Sequence, residues 1–441
     1  MTTANVSVED ILVPQPVKAA LSAFVGSTIE WYDFYLFATA ASLLFGRLFF
    51  PAGDPMLATI GAMGTFAVGF IARPFGAVYL GSLGDRLGRK RVLVLTMVMM
   101  GVATVLIGLL PNYQTIGVAA PVLLVALRVI QGFSMGGEWG GAVLIAAEHS
   151  KRDRSTFNAS FAQLGNPAGM ILCLLAVRAI AQLNDEDLYS WGWRLPFLVS
   201  AILILIGLWV RSGVRETPAF ETQRRRAQAK PPVTAPEISA IVAMRRFPKL
   251  MLLLAGANTV SLAGAYLGFV FMLTYTTHYL SFSRTMMLDC LLYATILQFC
   301  LQPIGAWIAN RVGTGKFLLA TSLITVITPF VMYPLVNLGT TGWIMLGLGI
   351  TILFNAGFYA SMAGFSASLF PIDVRYSAIS MSYQGCAAVA GALAPIIAAL
   401  LLAKFPGNWV PLAITYGAMS AISAGCIARL IGRNYRYLGD Q

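Results

Sequence analysis

Charge is what this sequence has least of. Only 11% of its 441 residues are Asp, Glu, Lys or Arg, against 58% hydrophobic, and mean hydropathy is +0.75. A soluble domain carries about a quarter charged residues. A chain this poor in polar groups cannot clothe a soluble core of its size, so a soluble enzyme is excluded and lipid must be the solvent for most of it. Histidine is almost missing: His149 and His278 stand far apart near expected helix ends, without Cys or acid at ligand spacing, and no metal is expected. Cys173, Cys290, Cys300, Cys386 and Cys426 lie in apolar runs without a CxxC pair and read as buried thiols. No GxxxxGK[ST] loop occurs, Gly313-Thr314-Gly315-Lys316 being too short for one, and Ser/His/Asp spacing is absent, so no ATP hydrolysis, enzymatic chemistry or bound cofactor is expected. Glu9, Asp10, Pro14 and Pro16 precede the first apolar run, which therefore lacks the basic start of a signal peptide.

What is present is a series of long apolar runs. A spanning helix needs about 20 mostly apolar residues, and runs of that kind lie at 20–46, 57–82, 91–110, 118–146, 156–183, 192–212, 249–277, 288–310, 317–337, 342–369, 375–403 and 409–431. Twelve spans in two six-helix bundles follow: a tail 1–19, a first bundle 20–212, a linker 213–248, a second bundle 249–431 and a tail 432–441. The linker, with Arg224 to Arg226 beside Pro231, Pro232 and Pro236, reads as a solvated segment lying on the membrane surface.

The net charge of +12 takes its meaning from its distribution. Segments on the side of the N-terminus hold 23 of the 30 Lys and Arg, including Arg211. The other side holds Arg47, Arg194, Arg284 and Lys404, and Arg73, Arg128 and Arg178 fall inside spans. The positive-inside rule then places both termini in the cytosol of a multi-pass protein of the cytoplasmic (inner) membrane. Basic charge that sets topology calls for no nucleic-acid partner; the expected partners are lipid and a small-molecule substrate, with a monomer as the working unit.

The loop after the second run reads Gly81-Ser82-Leu83-Gly84-Asp85-Arg86-Leu87-Gly88-Arg89-Lys90-Arg91. A degenerate copy, Asn310-Arg311-Val312-Gly313-Thr314-Gly315-Lys316, follows the eighth run. Two copies at equivalent places argue for a duplicated half. The first copy resembles the signature of the major facilitator superfamily. Glu30-Trp31-Tyr32-Asp33-Phe34, Ala72-Arg73-Pro74-Phe75-Gly76, Arg128-Val129-Ile130-Gln131-Gly132, Gly136-Gly137-Glu138-Trp139-Gly140-Gly141, Trp191-Gly192-Trp193-Arg194-Leu195-Pro196-Phe197, Glu216-Thr217-Pro218-Ala219-Phe220 and Phe370-Pro371-Ile372-Asp373-Val374-Arg375 resemble its metabolite:proton symporter branch. The resemblance implies an all-α membrane fold of two pseudo-symmetric six-helix bundles and no enzymatic activity. It implies proton-coupled uptake of a small organic acid, a mono-, di- or oxo-carboxylate or a shikimate-like acid, by alternating access. Proton symport of a zwitterionic osmolyte such as proline or betaine, and proton-coupled efflux antiport, are the alternatives. A zwitterion would call for an aromatic cation cage, and antiport for a Gly-Pro-rich fifth run, where only Gly165-Asn166-Pro167-Ala168-Gly169 occurs.

A charge at the bilayer centre costs at least about 2.5 to 3.5 kcal/mol, so a retained one is expected to face a cavity and a partner. Glu30 lies ten residues into the first run, about 15 Å deep at 1.5 Å per residue, with Asp33 one turn on along the same face. Arg128 reaches the same depth from the other side. Glu30 and Asp33 are the expected proton-coupling carboxylates, with Arg128 as their counter-charge or as a bidentate clamp for a substrate carboxylate; a permanent bridge that fixes packing is the competing account. Arg73 either caps carbonyls freed by Pro74 or binds substrate. Tyr35, Gln163, Asn166, Tyr275, Asn355, Tyr359 and Gln384 are polar positions able to line the cavity. The resemblance implies a conformational latch of Asp85, Arg86, Gly88 and Arg89, in which Asp85 receives an N–H or a basic group across the halves, together with Glu138, Arg311 and Arg375. Glu148 and Arg154 resemble the superfamily's second acid and base pair. Gly136, Gly137, Gly140 and Gly141 form small-x-x-x-small pairs suited to close helix contact.

Overall fold

The computed structural model describes residues 13–51, 55–228 and 238–432. Most of the N-terminal tail, the centre of the linker with Lys230, and the C-terminal tail with Arg433 and Arg436 lie outside the described residues, as do the side chains of Arg226, His278 and Arg284.

Long apolar sequence with satisfied internal backbone bonds leaves helices as the natural spanning element. Nine helices among the described residues are long and apolar enough to cross a membrane. The first span, Pro16–Leu43, is equally long but carries Lys18, Glu30 and Asp33. The second is Pro55–Leu87, the third Arg89–Leu109, the fourth Ala119–Glu148, the fifth Ser155–Ile180 and the sixth Leu195–Ser212. The eighth to tenth are Arg284–Val312, Thr314–Asn337 and Thr341–Ala367, and the twelfth is Val410–Gly432.

The seventh and eleventh spans are broken. The seventh runs through Pro248–Ala257 and Thr259–Ala263, widens into π-helix at Gly264–Val270, and widens again at Tyr275–Tyr279. The eleventh is Arg375–Cys386, then a π-helical turn Ala387–Gly391, then Ala392–Lys404. Such turns leave the i to i−4 ladder and collect at functional places.

Packing repeats between the halves. Span 2 lies on 4 as 8 lies on 10, span 3 on 6 as 9 on 12, and span 1 on 5 as 7 on 11. The halves meet where span 5 packs on 8 and 10 and span 11 packs on 2 and 4. The loop repeat is visible in the backbone: Gly88 (φ 104°) and Gly313 (φ 97°) turn the chain at equivalent points in a region that favours glycine. Close approach of spans 2 and 4 rests on glycine too, since a Cβ at Gly132 would strike the Gly69 carbonyl and one at Gly136 the Arg73 carbonyl.

Two expectations need correction. The linker is not solvated throughout its described parts: it forms helices Pro218–Gln228 and Ser239–Arg246, and the second buries Ser239, Ala240 and Ala243 against spans 2, 7 and 11, with the Ala240 N–H donating to Ser82 Oγ at 3.1 Å. Arg211 is no loop charge. It is 2% exposed, folded back into the first bundle beneath Gly26, where the missing Cβ leaves room for its guanidinium.

Candidate functional site

The two acids of the first span point into the first bundle because their three-residue spacing stacks them. Asp33 is fully buried; its Oδ1 accepts from Ser200 Oγ of the sixth span at 2.6 Å, Thr104 lies against it, and Oδ2 has no hydrogen-bond partner. Glu30 lines a small cavity with Gly26, Ile29, Met97, Met100, Ser134 and Glu138, and makes no hydrogen bond or ion pair among the described residues.

Arg128 is not the counter-ion of either acid. Its guanidinium sits over Phe37 at 4.2 Å, Phe66 at 5.1 Å and Phe34 at 5.4 Å, donates to Gln131 Oε1 at 3.1 Å, and leaves Nε unsatisfied. Gly69 gives it space, because a Cβ there would meet the guanidinium. Arg73 lies over Phe70 at 4.3 Å and Phe34 at 4.7 Å and donates to Met135 Sδ at 3.2 Å. Phe34 therefore faces two guanidiniums, and Arg128 makes no ion pair with Glu30 or Asp33, the two acids that precede Phe34 on the same helix, among the described residues. Two guanidiniums held over one ring make the local potential positive.

Polar side chains gather where the halves meet. Gln163 accepts from Trp139 Nε1 at 2.7 Å and donates to the Tyr359 carbonyl at 3.0 Å, a bond from the first half to the second. Trp139 stacks on Tyr383 with centroids 4.0 Å apart. Asn166 donates to the Tyr35 hydroxyl at 3.0 Å, and Gln384 donates to the Met135 carbonyl at 3.0 Å with its Oε1 unsatisfied. Tyr359 lies close to Tyr383, Tyr35 and Glu30, so these residues border the same region.

Two expected lining residues stand apart. Tyr275 pairs with Asn337 at 2.9 Å and meets Tyr333 edge-on inside the second bundle. Asn355, one turn before Tyr359, turns the other way: it donates to the Val260 carbonyl at 3.2 Å and lines a separate cavity with Gly264, Gln298 and Tyr416.

The basic ends of the halves are joined. Asp85 accepts from the Tyr376 N–H at 3.0 Å, the Ser377 N–H at 3.0 Å and Ser377 Oγ at 2.7 Å. Glu148 is a buried hub, 3.3 Å from Arg89 Nε and 3.0 Å from Arg375, and it accepts from Thr217 Oγ1 at 2.6 Å. Arg375 and Arg89 donate to the Phe370 and Ile372 carbonyls. Glu216 accepts from the N–H groups of Arg89 at 3.0 Å and Lys90 at 3.1 Å, closing the start of the third span; burial raises its pKa above 4.5, opposed by these hydrogen bonds and by Arg89. Arg86, Arg154 and Arg311, also expected in this latch, have exposed side chains. Glu148 is paired with Arg89 and Arg375 rather than with Arg154, and Arg311 lies over Trp307 at 3.9 Å. Glu138 lies outside this latch, ion-paired inside the first bundle with Arg211 and accepting from Thr96.

Ser200, Thr217 and Tyr383 escape a reading of the sequence because neutral side chains in apolar runs carry no anomaly. Arg211 escapes because it falls on the last turn of a span, where the same residue can turn out to water or in to an acid.

A family model described as Major Facilitator Superfamily matches residues 23–352. The shikimate transporter of Escherichia coli (strain K12) is 38% identical over 410 residues, 92% of each chain. The inner membrane metabolite transport protein YhjE of the same organism is 37% identical over 88% of each chain, and its proline/betaine transporter is 33% identical over 89% of this chain and 79% of that one. Among solved structures, the proton:xylose symporter XylE bound to 6-bromo-6-deoxy-D-glucose superposes with a TM-score of 0.74 at 14% identity, over 96% of this chain and 97% of that one.

Proposed function

The chain belongs to the major facilitator superfamily of multi-pass membrane transporters, which are not enzymes, and from that premise we propose that it imports a small organic acid together with a proton. Its basic end faces the cytosol in this reading, and the two bundles rock about the region bounded by Glu30, Tyr35, Gln163, Tyr359 and Tyr383. The observation that carries it is Arg128: buried over Phe34, Phe37 and Phe66 with its Nε unsatisfied, it makes no ion pair with Glu30 or Asp33 among the described residues. Arg128 and Arg73 supply a fork for a carboxylate, which planar guanidinium binds bidentately. Glu30 and Asp33 supply the groups for the proton, since neither makes an ion pair among the described residues and burying a carboxylate without one is costly in its charged form.

The same rings bear on the zwitterion reading. Phe34, Phe37, Phe66 and Phe70 could cage a quaternary ammonium, but their faces are already taken by guanidiniums. A cation entering there would meet like charge. The shikimate transporter, 38% identical to this chain, is named for a carboxylic acid, in keeping with the anionic choice.

The test is uptake into proteoliposomes of shikimate, 2-oxoglutarate, citrate, proline and betaine, with and without an inward proton gradient. Gradient-dependent accumulation of a carboxylate is expected, and Asp33→Asn and Glu30→Gln should abolish it while leaving exchange of internal for external substrate. Full gradient-driven uptake in both variants refutes the coupling role, and preference for betaine over every carboxylate refutes the anion site.

A further inference from the structure

Beside Glu30 and Asp33 the first bundle buries a further carboxylate, which the proposed transport cycle does not use. Glu138 is 3% exposed, in the fourth span, held by Arg211 from the sixth and Thr96 from the third. Glu30, 6% exposed and without a hydrogen bond among the described residues, faces the same cavity, and Ser134 Oγ completes its polar lining. The cavity has room for about one water, and three polar groups are what a buried water requires. Ser134 already donates to the Thr96 carbonyl at 2.6 Å, so its oxygen faces such a water as an acceptor. Arg73 and Arg211 are the cations in electrostatic reach of Glu30, and Tyr376 of the eleventh span is a further titratable neighbour of Glu138.

We propose that Glu138 is a proton relay, receiving the proton from Glu30 across this cavity and passing it toward the basic end through the interior of the first bundle, apart from the substrate's route between the halves. This rests on the symport reading above. In the step, protonated Glu30 gives its proton to the water as the water gives one of its own to ionised Glu138. Glu30 ends ionised and Glu138 neutral. Arg211 keeps its charge throughout and loses its counter-ion until Glu138 releases the proton. Arg211 is suited to that place because its other contact, the Leu93 carbonyl, holds it when Glu138 is neutral. Its position on the last turn of the sixth span, beside Ser212 whose carbonyl accepts from exposed Lys90 Nζ at 3.1 Å, brings the end of the path to the basic face.

A permanent structural bridge between Glu138 and Arg211 predicts something different, and the two accounts separate in variants. In proteoliposomes with shikimate as probe, Glu138→Gln should lower gradient-driven accumulation about a hundredfold, the scale of a lost proton-transfer group, with exchange reduced far less; Glu138→Asp should recover part of the loss. The double variant Glu138→Gln/Arg211→Gln removes both charges and so removes the unpaired cation. If the pair is structural, the double variant regains gradient-driven accumulation, and the inference is overturned. If it is a relay, the double variant regains thermal stability but not accumulation. Infrared difference spectra across a pH jump, which need no substrate, should show a carboxyl band lost in Glu138→Gln and another lost in Glu30→Gln. Absence of the Glu138 band overturns the relay whatever shikimate does. Absence of any gradient-dependent carboxylate uptake in the wild type refutes instead the symport reading on which the relay depends.

Discussion

Asp85, in one half of the molecule, caps a helix that belongs to the other. Its carboxylate takes the N–H groups of Tyr376 and Ser377, in the first turn of Arg375–Cys386, and the Ser377 hydroxyl. A carboxylate at a helix start satisfies donors that the helix cannot and meets its positive end. Because the cap crosses between the halves, it exists only while their basic ends are together.

Asp85→Ala should therefore open the basic end. Leaving buried N–H groups without acceptors costs about 1 to 3 kcal/mol, which moves a two-state population about 5- to 150-fold. Spin labels at Lys151 and Arg311, exposed on the two halves, should report a longer distance in the variant. An unchanged distance distribution would show that the Glu148 hub with Arg89 and Arg375 holds the seam alone.

Glu216 makes a prediction in pH. Burial raises its folded pKa above 4.5, so the folded state binds this proton more tightly than the unfolded chain does. Its contribution to stability is then fully present below the unfolded value and is lost as pH rises through the folded one. Thermal midpoints in detergent should show the difference between wild type and Glu216→Gln shifting against the wild type as pH rises above the unfolded value of 4.5. A difference independent of pH would mean that the N–H groups of Arg89 and Lys90 offset the burial fully.

The architecture was legible in the sequence and the pairing was not, for physical reasons. Twelve apolar runs and a repeated loop are gross features, and Gly88 and Gly313 turn at the points where that repeat put them. Glu30, Asp33, Arg73 and Arg128 stand out because lipid excludes charge, so depth alone marks them. Which charge meets which depends on side-chain reach: Arg128 goes to a cluster of rings rather than to Asp33, and Arg211 goes inward only because residue 26 is glycine. The π-helical turns in the seventh and eleventh spans follow no apolar period that a pattern could reveal.

Glycine substitutions in the fourth span should separate folding from closure. Gly136 abuts the backbone of the second span at Arg73 and Gly76, so Gly136→Leu forces two packed helices apart within one bundle and should lower the thermal midpoint and the yield of folded protein. Gly140 abuts Ser380 and Tyr376 of the eleventh span, on the other half. Gly140→Leu should leave the midpoint closer to the wild type and lengthen the distance between labels at the basic end. Equal losses of stability from both would show that the halves fold as one unit.

Arg128→Lys tests the anion site with charge held constant. Lysine keeps the positive charge but loses the planar fork and the flat contact with Phe37 and Phe66. If Arg128 clamps a carboxylate, affinity for the carboxylate selected in the uptake screen should fall by about 1.5 to 3 kcal/mol, the worth of a charged hydrogen bond, or about 10- to 150-fold. If Arg128 serves only to neutralise buried acids, lysine should serve nearly as well, although Asp33 and Glu30 make no ion pair with it. Binding measured by calorimetry decides between the two, and the result does not depend on coupling, because equilibrium binding needs no proton gradient.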